Sequence, residues 1–390
     1  MDKKSQIVYF LGAGASAQAI PVIEGLRPRL DDLAIFLKSF LKTNHNDESF
    51  QKLPENLRKN QDVLLHLYNE ILWLYKASEY HQTIDTLAKK YYIQESTELN
   101  RLKRALIIYF YFEQALIIPL NRELFTKRFP GVDDSILDKR YDNLIASIAI
   151  RNGGRIELKS HIKIVTWNYD IQLELAIKNY IGDFINNVKK SYNIHPNILS
   201  YKNIENRDAL FGLDHFAAYK LNGNAFLDPT LEFADGGGVT PHDFTYLESE
   251  NSNLVGNFLK TYSDLFPENH LDSISAFQYF NFAWEEENSY APKFNGHKLI
   301  LNNAKNVFKN AKVLIIVGYS FPYFNSGIDR ELFEDCWPEQ IIIQDLEPEK
   351  IKNRLFELVP KFKLLSQKIS NPIEIVFMEP DKYFPIHPST

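Results

Sequence analysis

Five short apolar runs, each ending in a glycine, asparagine or aspartate, constrain this 390-residue chain more than any other feature. Ile7–Leu11 runs into Gly12-Ala13-Gly14-Ala15-Ser16, and Lys163–Trp167 into Asn168-Tyr169-Asp170. Ala217–Leu221 runs into Asn222-Gly223-Asn224, Val313–Val317 into Gly318-Tyr319-Ser320-Phe321, and Gln340–Gln344 into Asp345. Ile373–Phe377 reads as a last strand, at a sheet edge. Runs of four to eight apolar residues without polar alternation read as strands buried on both faces. Separated by helical stretches, they predict an α/β fold: a Rossmann-like, doubly wound, mostly parallel sheet. Ligands of such sheets bind outside the carboxyl ends of the strands, so the five endings should share one rim.

Residues 25–155 read differently. Leu33, Phe36, Leu37 and Phe40, then Leu64, Leu67, Tyr68, Ile71, Leu72 and Tyr75, recur at helical spacing. A long helix is expected from Ser96 or Thr97 through Leu120, and another from Asp133-Asp134-Ser135 through Ile150. The organisation expected is a first strand and loop in 1–24, a large helical insertion in 25–155, and the rest of the α/β domain in 156–390. Residues 225–290, with Gly236-Gly237-Gly238, give no clear pattern.

Composition narrows the function. A net charge of −6 disfavours autonomous nucleic-acid binding, which draws on Lys and Arg. A single cysteine, Cys336, excludes an internal disulfide and a multi-cysteine zinc module. No segment approaches the roughly 20 apolar residues of a membrane span, and a cytoplasmic protein is expected.

Each ending has two readings. Gly12 and Gly14 allow close backbone approach to a pyrophosphate at a helix N-terminus, with Ser16 adding a hydroxyl, or they make a tight turn. Asn168 and Asp170 can hold a sugar or a water, or cap the next helix. Asn222-Gly223 is also an ordinary turn pair. Asp329 could cap a helix. Asp345 could bind ribose hydroxyls or end a strand.

Taken together, the endings resemble the sirtuin-like (silent information regulator) superfamily. The first strand with GAGAS and Ile20-Pro21 resembles its GAGxS…GIP start. TWNYD resembles TTNYD or TQNID, YKLNG resembles KLHG, and VGYSF resembles VGxSL, with IIIQD as the following strand. The similarity covers residues 5–25 and 160–350. It implies NAD lying along the rim: Gly12, Ala13, Gly14, Ala15 and Ser16 at the diphosphate; Asn168 and Asp170 at the nicotinamide ribose; Gly318, Ser320 and Asp345 on the adenosine side. The absence of a zinc module points away from protein deacetylases. It points towards the zinc-free antiphage proteins, many of which hydrolyse NAD to nicotinamide and ADP-ribose, with no metal.

The family histidine of KLHG is Asn222 here, and an amide is no general base near neutrality. Asn222 would then hydrogen-bond a ribose hydroxyl. His215 is a possible replacement base, or a loop histidine. The resemblance therefore implies an NAD glycohydrolase effector or a catalytically inactive NAD-binding sensor or scaffold. A homo-oligomer and a helicase, nuclease or sensor partner would be in keeping with either. A nuclease subunit is the third reading, disfavoured by the acidic balance.

Overall fold

The computed structural model describes residues 6–21, 23–42, 48–81, 83–115, 137–182, 185–196, 214–225, 255–256, 258–260, 262, 280, 282–285, 296–380 and 383–388. The chain divides into two compact units. One comprises Met1–Gln18, Leu137–Asn224 and Tyr279–Thr390; the other comprises Ala19–Ile136 and Ala225–Gln278.

The first unit is α/β. Its strands are β1 (Gln6–Leu11), β4 (Ile162–Thr166), β5 (Ile194–His195), β6 (Ala217–Lys220), β7 (Ala311–Val317), β8 (Gln340–Gln344) and β9 (Glu374–Met378). They form one seven-stranded sheet in the order β5-β6-β4-β1-β7-β8-β9. Every pairing is parallel. Helices Gln172–Ile181, Gly296–Lys309, Ser326–Phe333 and Pro348–Leu358 connect the strands, as parallel neighbours require.

Side chains alternate across each strand, so β1 feeds two cores. Val8 and Phe10 pack with Leu314, Ile316, Ile341, Ile343 and the helix residues Ala304 and Phe308. Ile7, Tyr9 and Leu11 pack on the other face with Ile164, Ile315, Leu173 and Ile177. Burial on both faces explains the unbroken apolar runs in the sequence. β9 lies at the sheet edge, as its sequence suggested.

Residues 137–158 belong to the sheet unit. The helix there spans Lys139–Ile148, and Asp138 caps it by accepting the Arg140 N–H at 3.0 Å. Its apolar face (Tyr141, Leu144, Ile145, Ile148) sits in the second of those cores. The helical pattern was expected to continue through Ile150. Instead the chain turns into the hairpin β2 (Ala149–Asn152) and β3 (Arg155–Leu158). Gly153 and Gly154, both at positive φ, make its two-residue turn. Asp133-Asp134-Ser135, residues 116–120 and Gly236-Gly237-Gly238 lie outside the described residues.

The second unit is helical where it is described. Ile23–Phe40, Gln61–Ala77, Ile84–Ile93 and Glu98–Ala115 are its longer helices. Leu64, Leu67, Ile71 and Leu74 form the buried stripe of the second helix. Ser96 caps the last, accepting the Glu98 N–H at 3.2 Å. Arg29 and Glu113 form a buried, two-pronged ion pair across this unit, with N–O distances of 3.0–3.3 Å. Geometry this complete offsets much of the cost of burying both charges.

Candidate functional site

The parallel register brings the strand ends level. Leu11 pairs with Thr166 on one side and Val317 on the other; Thr166 pairs with Lys220, and Val317 with Gln344. The next residues of all five strands therefore emerge on one carboxyl rim. β1 leads to β4 on one side, while β7, β8 and β9 lie on the other. The reversal of strand order falls between β1 and β7, the position where ligands of doubly wound sheets bind.

At that position the two loops meet backbone to backbone. Gly12 N–H donates to Val317 O and Gly14 N–H to Gly318 O, each at 3.0 Å. A Cβ on Gly12 would lie 2.6 Å from Gly318 O, and one on Gly14 would lie 2.7 Å from Gly318 Cα. Gly318 has φ +57, and its own Cβ would lie 2.4 Å from Gly14 Cα and C. These glycines are required by the contact between loops. Ala15 N–H returns to Gly12 O. Ala13 stands at the exposed tip of this turn.

Beneath the loop, the Arg140 guanidinium donates to Gly14 O at 2.9 Å and Ala15 O at 3.1 Å, while Asp138 holds it with both carboxylate oxygens. This buried pair draws the loop carbonyls inward. Nothing in the GAGAS motif announced Arg140; its signal was the charged Asp138–Arg140 run ahead of an apolar helix.

Ser16 is a hub. Its Oγ lies 3.2 Å from Tyr141 Oη, accepts Asn168 Nδ2 at 3.2 Å, and bonds the Asp170 carboxyl. Asn168 Nδ2 also donates to Gly12 O at 2.9 Å. The Asn168 amide is thus pinned through its nitrogen, and its Oδ1 is left without a bond among the described residues. Asp170 accepts the Gln172 N–H at 3.0 Å, so it does help start the next helix. Burial raises its carboxyl above the usual range, opposed by Lys220, the Gln172 N–H and Ser16. Lys220 donates to Asp170 O and pairs with Glu174 at 2.9 Å, both side chains buried. A lysine inside the apolar run AAYKL was the visible sign of this pair.

Both ends of the Asn222 amide are engaged: Nδ2 donates to Trp167 O at 3.0 Å and Oδ1 accepts the Ala283 N–H at 2.9 Å. Asn224, two residues on, is 2% exposed, and neither amide atom has a partner among the described residues. His215 is exposed and precedes β6, so it stands at the opposite, amino edge of the sheet. That position rules it out as a base at the rim. His195, ending β5, is buried and stacked on Tyr219; burial pushes it down to about 3, too weak a base near neutrality.

On the β7 side, Ser320 is exposed and its carbonyl accepts the Arg354 guanidinium at 2.7 Å. Asp345 is half-buried, and its Oδ1 accepts the Glu347 N–H at 3.0 Å. Asp329 does not cap its helix. It sits inside the first turn of Ser326–Phe333, accepting Trp167 Nε1 at 3.2 Å and Tyr319 Oη at 2.8 Å. It thereby ties the residue before Asn168 to the residue after Gly318.

Burial pushes the Asp329 carboxyl up to about 8. Unfolded, it would release its proton near pH 4. Between those values the folded chain holds the extra proton. The stability from this group is therefore full below about pH 4 and is lost as pH rises towards 8. The stability of the wild type relative to Asp329→Asn is expected to fall by up to about 1.4 kcal/mol per pH unit between about pH 5 and 8. Urea midpoints at three pH values check this; a constant difference would mean the carboxyl is ionised throughout.

Among the described residues, no group of three or more His, Cys, Asp or Glu side chains is placed to hold a metal ion. No helix among them is long and apolar enough to cross a membrane. Comparison with protein-family models, with curated proteins and with solved structures finds no match to this chain.

Proposed function

We propose that this chain is a sirtuin-like protein that binds NAD along the carboxyl rim and cleaves its nicotinamide–ribose bond, acting as a zinc-free antiphage NAD glycohydrolase. The observation that carries the reading is the Asn168 amide. From the end of β4 it is fixed through Nδ2 to Gly12 and Ser16 beyond β1, with its Oδ1 unbonded among the described residues. A rigid, neutral acceptor suits a ribose hydroxyl or the attacking water.

In the proposed reaction the bond between ribose C1′ and the nicotinamide nitrogen breaks, and its electron pair leaves with nicotinamide. Water oxygen bonds C1′ and its proton passes to solvent, giving ADP-ribose. Bond breaking runs ahead of attack in such oxocarbenium-like reactions, so a strong base is not essential. Asn168 would align the water. Asp170, held by Ser16 and backed by Lys220, would supply a fixed carboxyl at the nicotinamide end. Ala13 N–H would serve the diphosphate. Gly318, Ser320 and Asp345 would face the adenosine half.

A second reading, an NAD-binding sensor without turnover, is favoured by the engagement of Asn222 with main chain and by the amino-edge position of His215. Calorimetric titration of the purified chain with NAD and with ADP-ribose tests what both share. Saturable binding of both ligands is expected. Binding of neither would overturn the NAD assignment.

A further inference from the structure

Asn224 follows β6 on the rim. Its side chain is buried, and Nδ2 and Oδ1 are both closed to solvent and, among the described residues, both unbonded. An unmade buried hydrogen bond is costly. The contrast with Asn222 is internal to one turn. Gly223, at φ +72, separates an amide with both ends committed to main chain from an amide with neither end committed.

Resting on the NAD reading above, we propose that Asn224 is the residue that recognises the primary carboxamide of the ligand, and so sets specificity for nicotinamide over its acid. A carboxamide presents one donor face and one acceptor face in a plane, as Asn does. A single planar group therefore satisfies both Asn224 atoms at once. A carboxylate has no donor for Oδ1 and sets a negative oxygen against it. β6 lies beside β4, on the Asn168 and Asp170 side of the sheet, which is the nicotinamide side of the proposed arrangement. Because the amide is closed to solvent in the free chain, local opening at the rim accompanies binding.

The test compares NAD, nicotinic acid adenine dinucleotide and ADP-ribose as ligands of the wild type and of Asn224→Leu, with thermal unfolding of each free protein. Leucine matches the shape of asparagine without its polar atoms. The wild type is expected to prefer NAD to its acid analogue by about tenfold or more, since a site built to hydrogen-bond a group rejects the analogue that cannot. In Asn224→Leu that preference should fall to about twofold or less, with ADP-ribose binding retained. The melting temperature of the variant should equal or exceed that of the wild type, because an unpaired amide has been removed. A preference that survives in Asn224→Leu overturns the proposal and leaves the NAD reading standing. A lower melting temperature with weaker ADP-ribose binding also overturns it, as a structural role would produce that pair of results. If the wild type binds none of the three ligands, the NAD reading itself has failed, and this proposal with it.

Discussion

Gly318→Ala is expected to cost about 2–5 kcal/mol of folding stability. About 1–2 comes from placing a Cβ on left-handed backbone, and about 1–3 from overpacking. The residue has φ +57, and the added Cβ would fall 2.4 Å from backbone atoms of Gly14. Nothing at that contact is the flexible end of a side chain, so relief requires the β1 and β7 loops to separate. That separation would also break the Gly14 N–H bond to Gly318 O. Gly182→Ala is the control. Gly182 has nearly the same dihedral, φ +67, at the C-terminal end of Gln172–Ile181, but open space around its Cβ position. It should lose only about 1–2 kcal/mol. Urea unfolding of both variants separates strain of the dihedral from collision of the loops. Equal losses would mean that the two loops are not held as described.

Asn168→Ala is expected to lower nicotinamide release by about 100-fold or more, the effect of losing a positioned polar group at a reacting centre. The same change deletes two hydrogen bonds, to Gly12 O and Ser16 Oγ, so a stability loss of about 1–3 kcal/mol should accompany it. The two effects are separable because the strand itself is untouched: Asn168 N–H is held by Thr166 Oγ1 at 2.9 Å. ADP-ribose binding by the variant should weaken far less than nicotinamide release falls. A variant that folds, binds and still releases nicotinamide would remove Asn168 from the chemistry.

The sheet and its rim were legible because burial on both faces leaves a strong mark. β1, β7 and β8 contain no polar alternation to confuse with a helix, and their endings carry residues that backbone geometry selects. The hairpin of β2 and β3 was hidden for the converse reason. Leu144, Ile145, Ile148 and Ala149 keep a helical spacing up to the point where the chain changes structure, and only Gly153-Gly154 marks the turn. Site roles were less legible than site positions. Asn222 and Asn224 are the same residue type in one turn. What distinguishes them is the main chain of Trp167 and Ala283, the latter 61 residues away in sequence. Gly12 and Gly14 were read as places where backbone approaches a pyrophosphate; the close approach seen in the structure is to Gly318. Asp329 carried no local sign of its role, because its partners Trp167 and Tyr319 come from the ends of two different strands.

The most direct test of the account is a time course of nicotinamide release from NAD by the purified chain, run beside Asn168→Ala. Release by the wild type that is lost in the variant is the predicted result. No release by a wild-type chain shown to bind NAD would contradict the hydrolase assignment and leave a protein that binds NAD without consuming it.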